Sequence, residues 1–145
     1  MIRRTSLPWL IVLFALFPFL GAAGEKGCSC STAKVTSATL ARGYDEQASK
    51  PLDPTTVFKP TDSVLHLVVT TAYVPSGTKV GAEWWAVEAG GVKDHKIDAA
   101  ELSLESTGVV HFTLSRPEGW PPGKYKVIVS LDGKPNRTLE FEVKE

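Results

Sequence analysis

A chain of 145 residues with 43% apolar and 22% charged side chains has room for one ordinary globular domain, which excludes a disordered chain and a polytopic membrane protein. Its 16 basic and 16 acidic residues cancel, leaving no electrostatic case for nucleic acid or an anionic membrane surface as partner. Along the chain, the first feature is a basic start at Arg3 and Arg4, followed by an apolar run from Leu7 to Leu20 and the small residues Gly21, Ala22 and Ala23. These are the three parts of a secretory signal over residues 1–23, with Gly21 and Ala23 suited to the cleavage site. The run spans about 14 residues where a membrane-crossing helix needs about 20, and Pro8 and Pro18 interrupt it, so cleavage is expected rather than retention. The domain is therefore expected outside the cytoplasm, in the periplasm or secreted.

Residues 24–33 are small and polar and read as a flexible tether carrying the only cysteines, Cys28 and Cys30. A lipid-anchor signal needs an apolar residue three before its cysteine, and Glu25 and Lys26 stand ahead of Cys28 instead. The remaining domain, residues 34–145, cannot hold an internal disulfide, so its stability rests on packing. A Cys28→Ser, Cys30→Ser double change is accordingly expected to leave the melting temperature nearly unchanged. A loss above about 1 kcal/mol would make the tether part of the fold.

Strand signals then follow one another, with no segment offering ten residues at helical spacing. Lys34 to Arg42 is rich in Val, Thr and Ala and reads as a first strand; Gly43 to Thr61, with Pro51, Pro54 and Pro60, reads as a long irregular connection docked by Val57 and Phe58. Ser63 to Tyr73 alternates, with Leu65, Leu67 and Val69 toward the core and His66 and Thr70 away from it. In Thr78 to Glu88, Val80, Ala82, Trp84 and Ala86 share one face while Lys79, Glu83 and Trp85 share the other. Ala89-Gly90-Gly91 turns the chain into Val92 to Ile97, and a short helical or irregular turn is expected over Asp98 to Leu102. Gly108 to Ser115 places Val110, Phe112 and Leu114 inward and His111 outward. The prolines of residues 117–123 exclude a central strand there, and Tyr125 to Leu131 and Leu139 to Val143 form a closing hairpin around Asp132-Gly133. About seven strands spaced by turns predict an all-β, immunoglobulin-like antiparallel sandwich.

Three stretches are more specific: Asp53-Pro54-Thr55-Thr56-Val57-Phe58-Lys59-Pro60, Gly119-Trp120-Pro121-Pro122-Gly123-Lys124-Tyr125 and Thr138-Leu139-Glu140-Phe141-Glu142-Val143. On these the chain resembles a family of bacterial exported or membrane-anchored domains with no assigned activity, over most of residues 35 to 143. The resemblance implies a bacterial origin and an immunoglobulin-like fold. It transfers no catalytic or binding residue, because the family's motifs look structural.

Chemistry has few places to sit. No histidine lies in a Gly-x-Ser-x-Gly context or beside a cysteine, carboxylates stand singly on alternating strands, and no phosphate, dinucleotide or haem motif is present. An enzyme is not expected, and no cofactor is implied. The reading is a non-enzymatic extracytoplasmic binding or accessory module with a protein partner, its surface candidates being Trp85, Lys126, Ile128 and the loop residue Trp120. The alternative is a metal-handling protein using Cys28 and Cys30, or His66 and His111 if their strands are neighbours.

Overall fold

The computed structural model describes residues 33–145, so the expectations for the signal and for Cys28 and Cys30 lie outside the described residues. Among the described residues there are nine strands: β1 (Lys34–Asp45), β2 (Lys50–Pro54), β3 (Val57–Phe58), β4 (Val64–Ala72), β5 (Thr78–Ala89), β6 (Val92–Leu104), β7 (Val109–Ser115), β8 (Gly123–Leu131) and β9 (Lys134–Val143). They form a four-stranded sheet ordered β2-β1-β4-β7 and a five-stranded sheet ordered β3-β9-β8-β5-β6. All pairings are antiparallel except that of β3 with β9. The chain repeatedly switches sheets, so its apolar alternate positions meet in the middle as those of an immunoglobulin-like sandwich do.

Period-two patterning decides which side chains meet. Leu65, Leu67 and Val69 of β4 and Val110, Phe112 and Leu114 of β7 face Val80, Ala82, Trp84 and Ala86 of β5 and Val127 and Val129 of β8, all buried in one cluster. Phe141 of β9 is the hub of its aromatic part, stacked on Tyr125 at 5.4 Å and meeting the edges of Phe58 at 5.6 Å and Trp84 at 6.1 Å. Such offset and edge contacts add to burial because ring faces and edges carry opposite partial charge.

The connection expected to be irregular over Gly43 to Thr61 is partly ordered. β1 runs on to Asp45 rather than stopping at Arg42, β2 pairs with it on the sheet edge, and β3 adds two residues beside the end of β9. The prolines misled because β2 lies on the edge of its sheet, where a strand tolerates proline. Arg42 holds this segment with all three guanidinium nitrogens: Nε donates to Asp62 Oδ2 at 3.1 Å, Nη1 to Asp53 Oδ2 at 2.9 Å and Nη2 to the Val57 carbonyl at 2.9 Å. Burial works against ionised Asp62, but hydrogen bonds from the Lys59 amide and Arg42 outweigh it and hold the carboxyl below its ordinary value. Part of the first quoted motif is thus the clasp that seats Phe58, which is fully buried.

β6 also exceeds its expected length. Instead of turning at Asp98 to Leu102, it continues to Leu104, pairing Asp98 through Leu104 with Trp84 back to Thr78. Ala99, Ala100, Glu101 and Leu102 are good helix formers, and the free edge of β5 overrides that preference. A bulge at Ile97 interrupts the ladder. β6 is the edge strand of the five-stranded sheet, and nearly all its residues are exposed.

Candidate functional site

Alternation separates the two adjacent tryptophans of β5. Trp84 lies in the core, while Trp85 stands half-buried on the outer face of the five-stranded sheet. Strand register then fixes its neighbours: Trp85 sits between Lys96 of β6 and Lys126 of β8, and Lys126 in turn faces Glu140 of β9. Ile128 lies in the next row, opposite Glu83. Trp85 Nε1 donates to Glu83 Oε2 at 3.3 Å, Lys96 Nζ lies 3.5 Å from Glu83 Oε1, and Lys126 Nζ lies 5.7 Å from the Trp85 ring centroid. The indole is therefore oriented by a carboxylate at its edge and an ammonium near its ring, an arrangement that limits what it must lose in rotamer freedom on binding. Beside this row a cleft of about 400 Å³ is bordered by Val57, Val87, Lys124, Glu140 and Glu142. Trp85, Lys126 and Ile128 share one surface, as expected from the sequence.

Trp120 does not belong to it. Only 2% of its surface is exposed, its ring meets the edge of Tyr125 at 6.0 Å, and Arg116 lies 5.9 Å from its centroid. A loop rich in proline and glycine suggested display; the structure folds the loop inward because Tyr125 donates its hydroxyl proton to the Pro121 carbonyl, pinning the chain over the core. Burial raises the Tyr125 pKa, consistent with a phenol that stays neutral there. The second quoted motif is a corner of the fold.

On the opposite sheet, β4 and β7 are neighbours, and His66 and His111 share its outer face as their alternation predicts. They lie diagonally across the ladder, with His66 opposite Thr113 and His111 opposite Val68. His66 Nδ1 is 2.9 Å from His111 Nε2, with ring planes 7° apart and centroids separated by 5.1 Å. That centroid separation approaches the N···N distance plus two ring radii, so the rings lie edge to edge and the contact is an in-line N–H···N bond rather than a face-to-face stack. A tetrahedral metal with bonds of about 2.0–2.1 Å would hold the nitrogens roughly 3.3 Å apart. Here the two imidazoles face each other at 2.9 Å, within hydrogen-bond distance and short of that spacing. Among the described residues, no group of three or more His, Cys, Asp or Glu side chains is gathered to hold a metal.

One participant was missed. Tyr44, at the end of β1, stacks on His111 with centroids 3.8 Å apart and planes at 21°. Ala41 and Val68, which the ladder sets opposite His66 and His111 on this outer face, are both buried. This face therefore carries a small covered apolar patch beside the histidine pair. The signal available in the sequence was the apolar Val68 between two outward polar residues.

A scan against family models and a search of curated proteins find no match for the chain. Among solved structures, an immunoglobulin-like protein from Pseudomonas aeruginosa is similar with a TM-score of 0.54 at 8% identity, covering 77% of this chain and 96% of that one. The alkylpurine DNA glycosylase AlkC of Pseudomonas fluorescens has a TM-score of 0.49 at 16% identity, over 78% of this chain and 30% of its own. A β-glucosidase from Listeria innocua has a TM-score of 0.46 at 16% identity, over 77% of this chain and 16% of the enzyme. The likeness to the Pseudomonas aeruginosa protein is one of fold: the domain is an immunoglobulin-like β-sandwich.

Proposed function

We propose that this chain is a non-enzymatic binding or accessory module working outside the cytoplasm, and that it meets a protein partner through the outer face of its five-stranded sheet. The carrying observation is Trp85, a large aromatic side chain left half-exposed in the middle of a sheet face and oriented by Glu83 and Lys126. A buried sheet face would have taken it inward, and a plain solvated face has no need of it; tryptophan is among the residues that most often dominate binding energy. The non-enzymatic part of the reading is supported by His66 and His111, whose facing nitrogens are engaged with each other rather than with a hydroxyl or thiol.

The reading predicts a separation of stability from binding. Trp85→Ala is expected to lower stability by about 1 kcal/mol, the range of ordinary partly exposed changes, and to weaken the partner complex by roughly 30-fold or more. Urea unfolding and retention of the partner from the extracytoplasmic fraction of the producing cell measure the two effects. Unchanged retention by Trp85→Ala would remove this face from the account.

A further inference from the structure

We infer that the His66–His111 bond, with Tyr44 stacked upon it, is a proton-operated latch that fastens the β1–β2 hairpin to the outer face of the four-stranded sheet and releases it in acid. The geometry supplies each part. Two imidazoles in line share a hydrogen bond when neutral, one donating and one accepting. One added proton is tolerated, because an imidazolium still donates to the other ring. A second proton leaves two N–H groups facing each other across 2.9 Å, both cationic, and the pair must part. His111 then cannot keep its place under Tyr44, and the stack that ties the end of β1 to β7 is lost.

The groups around the pair come from each neighbouring element: Tyr44 from β1, His66 from β4, His111 from β7 and Glu46 from the turn after β1. Burial holds both histidines below their ordinary value of about 6.5. His66 pushes His111 further down, and Glu46 draws it partly back. The unfolded chain therefore takes up protons that the folded pair resists. The latch contributes fully above about pH 6.5 and is lost as pH falls from there through the lower folded values.

Amide hydrogen exchange, corrected for the intrinsic pH dependence, reads the release residue by residue. Between about pH 7.5 and about pH 4.5, either side of histidine titration, residues 43–54 are expected to lose protection at least tenfold while the central strands β5 and β8 keep theirs. Asn at position 66 places a polar atom near the site of Nδ1, and Gln at 111 places one near Nε2, so His66→Asn with His111→Gln retains a hydrogen bond that no longer titrates. In that double variant the loss is expected to disappear. Asp45, which accepts the turn amides of Gln47 and Ala48, remains in both chains, so the difference between them reads the imidazoles. Equal protection at the two pH values in the unaltered chain, or the same loss in the double variant, would overturn the latch. Should the double variant fail to fold, nitrogen-15 spectra of the unaltered chain at about pH 7.5 decide: one protonated and one bare nitrogen facing each other supports the latch, and two alike contradicts it.

Discussion

Trp84→Ala is expected to remove about 3 to 5 kcal/mol of folding stability, as truncation of a buried aromatic does. Trp84 is 1% exposed, meets the edge of Phe141 at 6.1 Å and lies in the cluster joining the two sheets. Its removal leaves a cavity that β-strands, tied into their ladders on both sides, cannot close by sliding. The neighbouring Trp85→Ala removes a similar volume from the outer face, where no cavity forms. The ratio of the two losses is therefore a direct reading of strand register: a one-residue slip would exchange them. Denaturant unfolding of both variants measures it, and a larger loss for Trp85→Ala would show that the assigned faces are inverted.

Gly123→Ala is expected to be nearly as damaging for a different reason. Gly123 has φ 154°, and an added Cβ would lie 2.3 Å from the Glu88 carbonyl oxygen and 2.7 Å from Ala89 Cα. Both obstacles are backbone of the neighbouring β5, so no side chain can rotate away. Forcing β8 from β5 at that point combines overpacking of about 1 to 3 kcal/mol with a backbone penalty of about 1 to 3 kcal/mol for a conformation that favours glycine. Thermal unfolding tests this, and a melting temperature within the scatter of surface variants would contradict the close approach. The same residue closes the Pro-Pro-Gly-Lys-Tyr corner, so the variant also tests whether that motif serves the fold.

The sandwich and most of its core were legible because alternation in β4, β5, β7 and β8 is nearly uninterrupted, and a period of two admits one assignment of faces. The Trp84 and Trp85 split followed from the same rule, and so did the shared face of His66 and His111. Less was legible where tertiary pairing competes with local preference. The Ala99 to Leu102 stretch of β6 looks helical until β5 offers it a ladder, and Pro51 and Pro54 look like loop residues until β2 is seen to lie on an edge. Trp120 was misplaced because proline and glycine mark a turn without saying on which side its aromatic falls. Tyr44 was missed because the approach of β1's end to His111 depends on how the strand curls over the sheet, which no pattern along the chain records.

The central claim, that Trp85 and its neighbours form the partner-binding face, is tested most directly by photo-crosslinking from single positions in the producing cell. Ile128 lies one row from Trp85 on the proposed face, and Thr113 lies beside His66 on the outer face of the other sheet. A photoreactive residue at 128 is expected to yield one discrete protein adduct that disappears when Trp85→Ala is added, with no adduct from position 113. An adduct from 113 and none from 128, or an adduct from 128 indifferent to Trp85→Ala, would contradict the account.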